Sequence, residues 1–329
     1  MVTLKDIANR LGVSIRTVSH AVNNSGRLSD KTRKLILETV AEMGYFPDAA
    51  ARSLVTHKSR LIGVMVPFLS TSFYGAIISG LEEVARRYNY TLLLLNPPSD
   101  DEDYLQVCYS MMQRKVDGMI LYPSPLIRKA QEFIRRSNVP VVQLMDFAPE
   151  LGEVSVKVEN FLSAAEAVRE FYRTGCRNIA MISHNSNSPE VAERHRGFLA
   201  AMDELMPGCE PVTLESEVSI EAAYSAAEKL LTEHPETDAV FAASDFAALG
   251  VAKAALERGR KIPEDLSIIG FDNLDIAAEQ LLYPFSTIAQ PKEEIGRCAG
   301  EMILKLIEGK KVESQVLPAP LIIRNTTRK

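Results

Sequence analysis

The sequence predicts an α/β protein with a small, basic, all-helical head and a larger, acidic body built on parallel β-sheets. The first 60 residues carry ten Lys and Arg against five Asp and Glu, whereas the rest of the chain carries 27 against 38. Helix caps recur at short intervals in the first segment, and beyond it short apolar runs alternate with helical stretches. Positive charge concentrated in one segment suits a polyanionic partner, so we expect only the head to contact one.

The composition limits the classes to which the protein can belong. With 329 residues, 46% hydrophobic and 24% charged, the chain has enough apolar material for two or three domains, which excludes disordered and collagen-like classes. The four cysteines are far apart and form no C-x-x-C pair, so we expect neither a zinc site nor a disulfide framework. We also expect no other metal and no cofactor. Without a signal-peptide pattern or a run of 18 apolar residues, we expect a soluble, cytoplasmic protein with no membrane partner.

Two short helices open the chain. Thr3 can cap the first helix, with Asp6 completing a capping box, and Gly12 ends it. Ser14 caps the second, which ends in the polar turn at 23–26. Two short helices joined by a tight glycine turn form a helix-turn-helix. The residues expected to be buried are Leu4, Ile7, Ala8 and Leu11 in the first helix and Val18, Ala21 and Val22 in the second.

A third helix is predicted from its cap at Ser29 to Gly44, and it covers the first two. The residues expected to face inward are Leu35, Ile36, Val40 and Met43. Residues 47–55 form a further helix-prone stretch that is too short to be stable alone in water. This stretch is either a linker or a segment that folds when it docks on a partner.

The outward positions of the second helix suit the edges of DNA bases. Arg16 can form a bidentate pair with guanine, and Ile15 can contact a thymine methyl group. His20 can donate to guanine or lie against a phosphate, and Ser19 shares this face. The alternative is a solvated face in a module that binds protein. The turn, the caps and the basic charge favour DNA.

Beyond residue 60, continuous apolar strands separated by helices are typical of parallel sheets covered on both faces. A body of this length is large for one core, so we expect two α/β lobes with a cleft between them. Strands are predicted at Leu61–Val66, Thr91–Leu95, Gly118–Leu121, Val141–Leu144, Ile179–Ile182, Ala239–Phe241 and Leu266–Ile269. Helices are predicted around Phe73–Tyr88 and Tyr104–Arg114.

The same pattern would fit a doubly wound enzyme, but the short enzyme signatures are missing. The sequence contains no G-x-G-x-x-G after its first strand, no G-x-x-x-x-G-K-[ST], no G-x-S-x-G and no H-E-x-x-H. Its five histidines show no metal-ligand spacing. We therefore predict that the protein is not an enzyme.

Ligands of parallel sheets collect beyond the carboxyl ends of the strands. The polar residues at those ends are Asp146, Ser244, Asp245 and Asp272. Each carboxylate can also cap the following helix; for Asp245 the two interpretations are balanced, whereas Asp146 and Asp272 are assigned to a pocket. Arg194 lies near the start of a helix, and a guanidinium that faces carboxylates suits a hydroxyl-rich or anionic ligand.

Several head motifs together carry a family resemblance: Val2-Thr3-Leu4-Lys5-Asp6-Ile7-Ala8, Gly12-Val13-Ser14, Thr17-Val18-Ser19 and Ala51-Arg52-Ser53-Leu54. With them the chain resembles the lactose-repressor (LacI/GalR) family of bacterial transcription regulators, along nearly its whole length. The resemblance implies DNA contacts by Ser14, Ile15, Arg16, Thr17, His20 and Asn23. It also implies a hinge helix whose Leu54 enters the minor groove, with Ala51 beside it. His20 stands where Arg is frequent and Asp48 where Asn is usual, which bears on the operator sequence and on hinge docking.

The body matches landmarks of the same family, which implies a sensor like the periplasmic binding proteins. The landmarks are Asp117-Gly118, Val158-Glu159-Asn160, Arg194 with Gly197-Phe198, Gly270-Phe271-Asp272 and Thr287-Ile288-Ala289-Gln290-Pro291. The resemblance implies that Arg194, Asp272 and Asp146 contact a small-molecule effector. It further implies an aromatic wall of Phe73 and Tyr74 in the loop after the first strand. The segment Ala319–Arg324 resembles the family's last strand, which returns to the N-terminal lobe. The departures from the pattern are Ser244, which stands where Asn often binds sugar hydroxyls, and Glu159, Ser163 and Cys176.

These observations predict a homodimeric, effector-controlled repressor. Residues 1–46 would read a pseudo-palindromic operator in double-stranded DNA, 47–59 would form the hinge, and 60–329 would bind the effector and dimerise, with crossings between lobes near 159–161 and 288–291. One helix-turn-helix reads a half-site, which favours a dimer, and the lack of a heptad tail disfavours a tetramer. The effector is expected to be a sugar, sugar acid or sugar phosphate. The alternatives are a purine-dependent repressor, a pure solute-binding protein, and an enzyme with a DNA-binding appendage.

Overall fold

A computed structural model describes residues 2–46, 58–67, 71–96, 101–122, 128–145, 154–184, 188–275 and 284–329. The chain divides into two compact units, Met1–Ser59 and Arg60–Lys329. The prediction of a helix-turn-helix head followed by an α/β body with two parallel-rich sheets is confirmed. Residues 47–57 of the segment assigned to the hinge, with Ala51 and Leu54, lie outside the described residues, as does Asp146.

Three helices form the head, and the caps predicted for them are present. They are α1 (Leu4–Leu11), α2 (Ile15–Val22) and α3 (Asp30–Glu42). Thr3 and Asp6 form both hydrogen bonds of a capping box at α1. Ser14 and Ser29 each accept a hydrogen bond from a main-chain N–H group in the first turn of the helix that they cap. Gly12 ends α1 in a left-handed conformation, with φ of 65°, which glycine adopts without steric cost.

The packing prediction for α3 is wrong at Leu35. Its side chain is 52% exposed, whereas Ile36 is 1% exposed and Thr39 is 5% exposed. Successive helix positions differ by about 100°, so a buried face centred on Ile36 and the positions three and four residues later turns Leu35 towards solvent. Val40 and Met43 do pack against the small core of the head, as expected.

The first lobe contains a six-stranded parallel sheet. Its strands are β1 (Leu61–Met65), β2 (Thr91–Leu95), β3 (Gly118–Leu121), β4 (Val141–Leu144), β5 (Ser155–Val158) and β11 (Gln315–Leu317), in the order β11-β5-β4-β3-β1-β2. Its helices are α4 (Ser72–Arg87), α5 (Asp101–Gln113), α6 (Arg128–Ser137) and α11 (Lys292–Ile307). The α4 and α11 helices lie so close together that a Cβ atom at Gly80 would overlap the carbonyl oxygen of Glu293. The absence of a side chain at Gly80 permits this approach.

The second lobe contains a second six-stranded sheet. Its strands are β6 (Ile179–His184), β7 (Val212–Ser216), β8 (Ala239–Ala242), β9 (Ser267–Phe271), β10 (Ser286–Ile288) and β12 (Leu321–Ile322), in the order β12-β10-β9-β8-β6-β7. Among the described residues, β10 and β12 are the one antiparallel pair. The helices are α7 (Asn160–Arg173), α8 (Pro189–Leu205), α9 (Ile220–Glu233) and α10 (Asp245–Glu257). The polar ends of β6, β8 and β9 therefore meet at one edge of this sheet.

The expectation for the last strand is wrong. The strand that returns to the first lobe is β11, which pairs with β5, whereas Leu321–Ile322 pairs with β10 in the second sheet. The apolar run after Pro320 was more strand-like than β11, whose Gln315 and Val316 are exposed at a sheet edge. The chain consequently passes between the lobes three times: from β5 to α7, from β10 to α11, and from β11 to β12.

Candidate functional site

The exposed face of α2 holds side chains that suit DNA. Ile15 is 48% exposed, and Arg16 and Asn23 are exposed as well. Ser14 Oγ accepts a hydrogen bond from the main-chain N of Thr17 at 3.0 Å and lies 2.8 Å from Thr17 Oγ1. The face thus combines an apolar group, a guanidinium, an amide and hydroxyls, the mixture that contacts base edges and phosphates.

His20 is half-buried and is positioned by the turn that follows α2. Its ring covers Gly26, whose φ is 67°, and a Cβ atom there would overlap Nδ1 of His20. Arg33 of α3 donates from Nη1 to the main-chain oxygens of His20 at 3.2 Å and Ala21 at 3.3 Å. A cation at a helix C-terminus stabilises carbonyl groups that have no partner within the helix. The last turn of α2 is therefore held from α3.

Arg194 of α8 is buried, with 5% exposure. Its Nε donates to Asn160 Oδ1 at 2.8 Å, and its Nη1 donates to the main-chain oxygen of Ala243 at 2.8 Å. The guanidinium carbon lies 3.7 Å from the centre of the Phe271 ring, and Nη1 lies 4.0 Å from Asp272 Oδ1. A buried guanidinium needs such partners. Arg194 thus joins the ends of β8 and β9 to the start of α7.

Asp272 follows β9 with φ of 107°, a conformation that side-chain-bearing residues rarely adopt and that clusters at functional sites. Gln290 Nε2 donates to its Oδ1 at 2.6 Å. Lys292 Nζ donates to the main-chain oxygens of Asp272, at 2.9 Å, and Asn273. Burial raises the pKa of Asp272, and the charge of Arg194 opposes that rise. The structure therefore brings Arg194 and Asp272 together beside the segment that leads back to the first lobe.

Ser244 and Asp245 are both engaged at the start of α10. Ser244 is 4% exposed, and its Oγ accepts from the helix main chain at 3.2 Å as the N-cap. The Asp245 carboxylate accepts from Thr287 Oγ1 at 2.6 Å and from the main-chain N of Leu274 at 2.6 Å. Burial and then the charge of Asp272 raise the pKa of Asp245 to about 7. Asp245 therefore ties the loop after β9 to α10.

Phe73 and Tyr74 lie in the first turn of α4 and not in the loop before it, because that helix begins one residue before Phe73. Their ring centres are 5.1 Å apart, and the ring of Tyr74 lies 6.0 Å from that of Tyr122, both pairs being edge to face. Burial and then the charges of Glu190 and Asp272 raise the pKa of Tyr74. The aromatic cluster of the first lobe thus faces the carboxylates of the second.

Tyr122 and Glu190 connect the two lobes, and sequence reasoning missed both. Tyr122, after β3, donates from its hydroxyl to Oε1 of Glu190 in the first turn of α8. Glu190 Oε2, both ring nitrogens of His184 and Gln290 Oε1 are buried without a hydrogen-bond partner among the described residues. Burial and then the charge of Arg194 lower the pKa of His184 to about 4. His184 ends an apolar strand and was detectable on that basis, whereas Glu190 carries no such signal.

The head and this network define a class of protein. A helix-turn-helix with an exposed second helix accompanies a two-lobed body whose buried polar groups gather at the strand ends, where ligands of such sheets bind. In the described part of the chain, no group of three or more His, Cys, Asp or Glu side chains could hold a metal ion. No helix described there has the length and apolar character needed to cross a membrane. These features are those of a DNA-binding regulator with a ligand-binding body.

The chain belongs to the LacI family of bacterial regulatory proteins. The family model described as bacterial regulatory proteins, lacI family, matches residues 3–48, and a periplasmic binding protein-like domain matches residues 168–327. Over 334 residues the chain is 33% identical to the HTH-type transcriptional repressor PurR of Vibrio parahaemolyticus serotype O3:K6, covering 100% of this chain and 99% of that protein.

Solved structures give the same assignment. The lac repressor dimer bound to operator and the anti-inducer ONPF matches with a TM-score of 0.90 and 25% identity, covering 100% of this chain and 99% of that one. A LacI family regulator from Enterococcus faecium with bound ribose matches with a TM-score of 0.71 and 29% identity, covering 81% and 98%. The chain is therefore a DNA-binding, effector-controlled regulator of transcription, as predicted. Because the family consists of regulators, the prediction that it is not an enzyme is also confirmed.

Proposed function

We propose that the chain is a homodimeric repressor in the cytoplasm whose affinity for a pseudo-palindromic operator is set by a carbohydrate-derived effector. Residues 1–46 read the DNA, 47–59 form the hinge, and 60–329 bind the effector and dimerise. The observation that carries the proposal is the buried Arg194 and Asp272 network at the strand ends, which faces Tyr74 and Tyr122 of the other lobe. Such a site responds to a ligand that contacts both lobes.

DNA reading is assigned to α2 and to the hinge. One helix-turn-helix contacts a half-site, so two heads related by a two-fold axis read a pseudo-palindrome. Arg16 pairs with a base through its fork of donors, and Ile15 contacts a methyl group. In this proposal the DNA contacts are Ser14, Ile15, Arg16, Thr17, His20 and Asn23, with Ala51 and Leu54 at the operator centre.

The effector is assigned to the cleft between the lobes. Aromatic side chains beside hydroxyl-binding polar groups are typical of small-molecule sites. The ribose in the Enterococcus faecium relative supports a carbohydrate. The proposed contacts are Phe73, Tyr74, Asp146, Arg194, Ser244 and Asp272. A ligand shifts the equilibrium only if it prefers one lobe arrangement, and a typical coupling changes operator affinity about 5- to 150-fold.

The DNA half of the proposal is tested by selecting a binding sequence from random duplexes and measuring affinity by fluorescence anisotropy. Arg16→Ala should lose about 1 to 3 kcal/mol and relax preference at one base pair. The control is Arg10→Ala, because Arg10 lies on α1 and pairs with Glu42 at 3.3 Å. Equal losses by Arg16→Ala on selected and random DNA would contradict base reading.

The effector half is tested with Arg194→Ala. Since Arg194 belongs to the body network, the variant should lose the effect of sugars on operator affinity while retaining operator selectivity. It should also melt at a lower temperature, because Asn160, Ala243 and Asp272 lose a buried partner. If the operator affinity of this variant responds to sugars as that of the wild type does, the effector binds elsewhere in the protein.

A further inference from the structure

Four polar atoms near Arg194 are buried without a hydrogen-bond partner among the described residues. They are Glu190 Oε2, Gln290 Oε1 and both ring nitrogens of His184. The three residues are 9%, 4% and 6% exposed. An unpaired buried polar atom is costly, so several in one place point to a partner that binds there.

The chemistry of these atoms specifies that partner. A carboxylate oxygen and an amide oxygen only accept hydrogen bonds, and a neutral imidazole offers one donor and one acceptor. His184 is neutral near pH 7, because burial lowers its pKa to about 4. Two of the three side chains therefore need a donor, and the third can take either. Hydroxyl and amino groups supply such donors.

The two basic groups of the site each have partners within the protein. Arg194 donates to Asn160 and Ala243, and Lys292 donates to the main chain after β9. Glu190 lies in the first turn of α8, where the helix favours negative charge. An anionic group entering beside Glu190 would meet negative charge and acceptors.

We infer that Glu190 is the specificity-determining residue of the effector site and selects a carbohydrate that donates hydroxyl or amino hydrogens and carries no negative charge. This rests on the proposed function, which places a carbohydrate in the cleft. Tyr122 orients Glu190 by donating to Oε1, so that Oε2 accepts from the ligand. Sugar acids and sugar phosphates, which the sequence alone leaves as candidates, are excluded. Their charged groups accept hydrogen bonds instead of donating them, and their negative charge repels the carboxylate.

The test compares wild-type protein with Glu190→Gln and the matched control Glu193→Gln, all at full length. Glu193 lies on the same helix, but its side chain is 42% exposed and pairs with Arg196. Melting temperature is measured with D-ribose, D-glucose and D-glucosamine, with D-ribose 5-phosphate, D-glucose 6-phosphate and D-gluconate, and with hypoxanthine. A compound that binds the folded protein raises its melting temperature.

We expect one or more of the uncharged and amino sugars to stabilise the wild type, and none of the anions to do so. Glu190→Gln should weaken Kd for the stabilising sugar about tenfold or more, whereas Glu193→Gln should leave it nearly unchanged. Without sugar, Glu190→Gln should melt at the same temperature as the wild type or higher, because a buried charge is removed. A lower melting temperature would mean that Glu190 serves packing between the lobes and would overturn the inference.

The inference is also overturned if an anion stabilises the protein, if only hypoxanthine does, or if no uncharged or amino sugar does. Operator affinity measured on the same samples separates this failure from that of the proposed function. A protein that binds operator and responds to an anion keeps effector control by a carbohydrate and loses the role of Glu190. If none of these compounds changes the operator affinity, the result contradicts the proposed control by a carbohydrate effector.

Discussion

Asp245 should make the stability of the protein depend on pH in a way that Asp245→Asn removes. The carboxylate is fully buried, accepts from Thr287 and Leu274, and has a pKa of about 7 against an ordinary value of 3.8, because of burial and then the charge of Asp272. An asparagine can keep both contacts, since its oxygen accepts from Leu274 and its nitrogen can donate to the Thr287 hydroxyl. The variant therefore imitates the protonated carboxyl group at every pH.

The sign and size of the effect follow from the two pKa values. Because the folded-state pKa is raised, the stabilisation is complete below the unfolded value and is lost as pH rises through about 7. At about 1.4 kcal/mol per pKa unit, wild type loses about 4 kcal/mol that Asp245→Asn retains. His184 acts oppositely, since its lowered pKa reduces stability as pH falls towards about 4. That contribution cancels in the difference between the two proteins.

The assay is urea unfolding followed by circular dichroism from about pH 5 to about pH 8, at one protein concentration. Over this range the free energy of unfolding of Asp245→Asn should rise relative to wild type by about 2 to 3 kcal/mol, most of it between pH 5 and pH 7, because the remaining difference develops below pH 5. The control is Asp238→Asn, because the half-buried Asp238 accepts from the main-chain N of Asn178 at 2.9 Å and of Arg177 at 3.0 Å, and its loss should destabilise the protein at pH 8. A difference between wild type and Asp245→Asn that stays constant with pH would refute the reasoning.

Two further pairs of substitutions test how closely the helices pack and how the end of α2 is held. Gly197→Ala should lower the melting temperature, because the added Cβ atom would overlap the carbonyl oxygen of Phe161. Gly75→Ala, with no atom within 4 Å of the added Cβ atom, should raise stability by about 0.5 to 1 kcal/mol. Equal melting temperatures for the two variants would contradict this. Arg33→Ala should destabilise the head by about 1 to 2 kcal/mol in urea, because the end of α2 loses its donors. Lys34→Ala, at an exposed position, should cost less than about 0.5 kcal/mol, and comparable losses would show that Arg33 is not a cap.

Local rules account for most of what could be predicted in the head. Caps at Thr3, Ser14 and Ser29 depend on residues three positions away, and such short-range hydrogen bonds are visible in sequence. Leu35 was misplaced because three-helix packing exposes one side of α3, and an apolar residue on that side resembles a core residue. Periodicity identifies a helix more securely than it identifies the edge of its buried face.

In the body, strands were predictable where their residues form an apolar run. All seven predicted strands exist within two residues of their expected bounds, because each contains a nearly continuous run of apolar residues. The strands β5, β7, β10 and β11 are short or interrupted by polar residues and gave no such signal. Arg194 and Asp272 could be brought together by the rule that ligands gather at strand ends. The contact of Tyr122 with Glu190 spans 68 positions and two lobes, so no local pattern encodes it.

The network also explains how an effector in the cleft would act on the arrangement of the lobes. Arg194 binds Asn160, the first residue of α7 after the chain leaves the first lobe. Asp272 binds Gln290 and, through its main-chain oxygen, Lys292, where the chain returns. A ligand held by Arg194 and Asp272 would therefore act on two of the three connections at once, and packed elements respond to such small shifts by moving as bodies. By reciprocity, any partner that favours one lobe arrangement would change the affinity of the cleft for its ligand by the same factor. Control of operator affinity then requires no contact between the effector and the DNA.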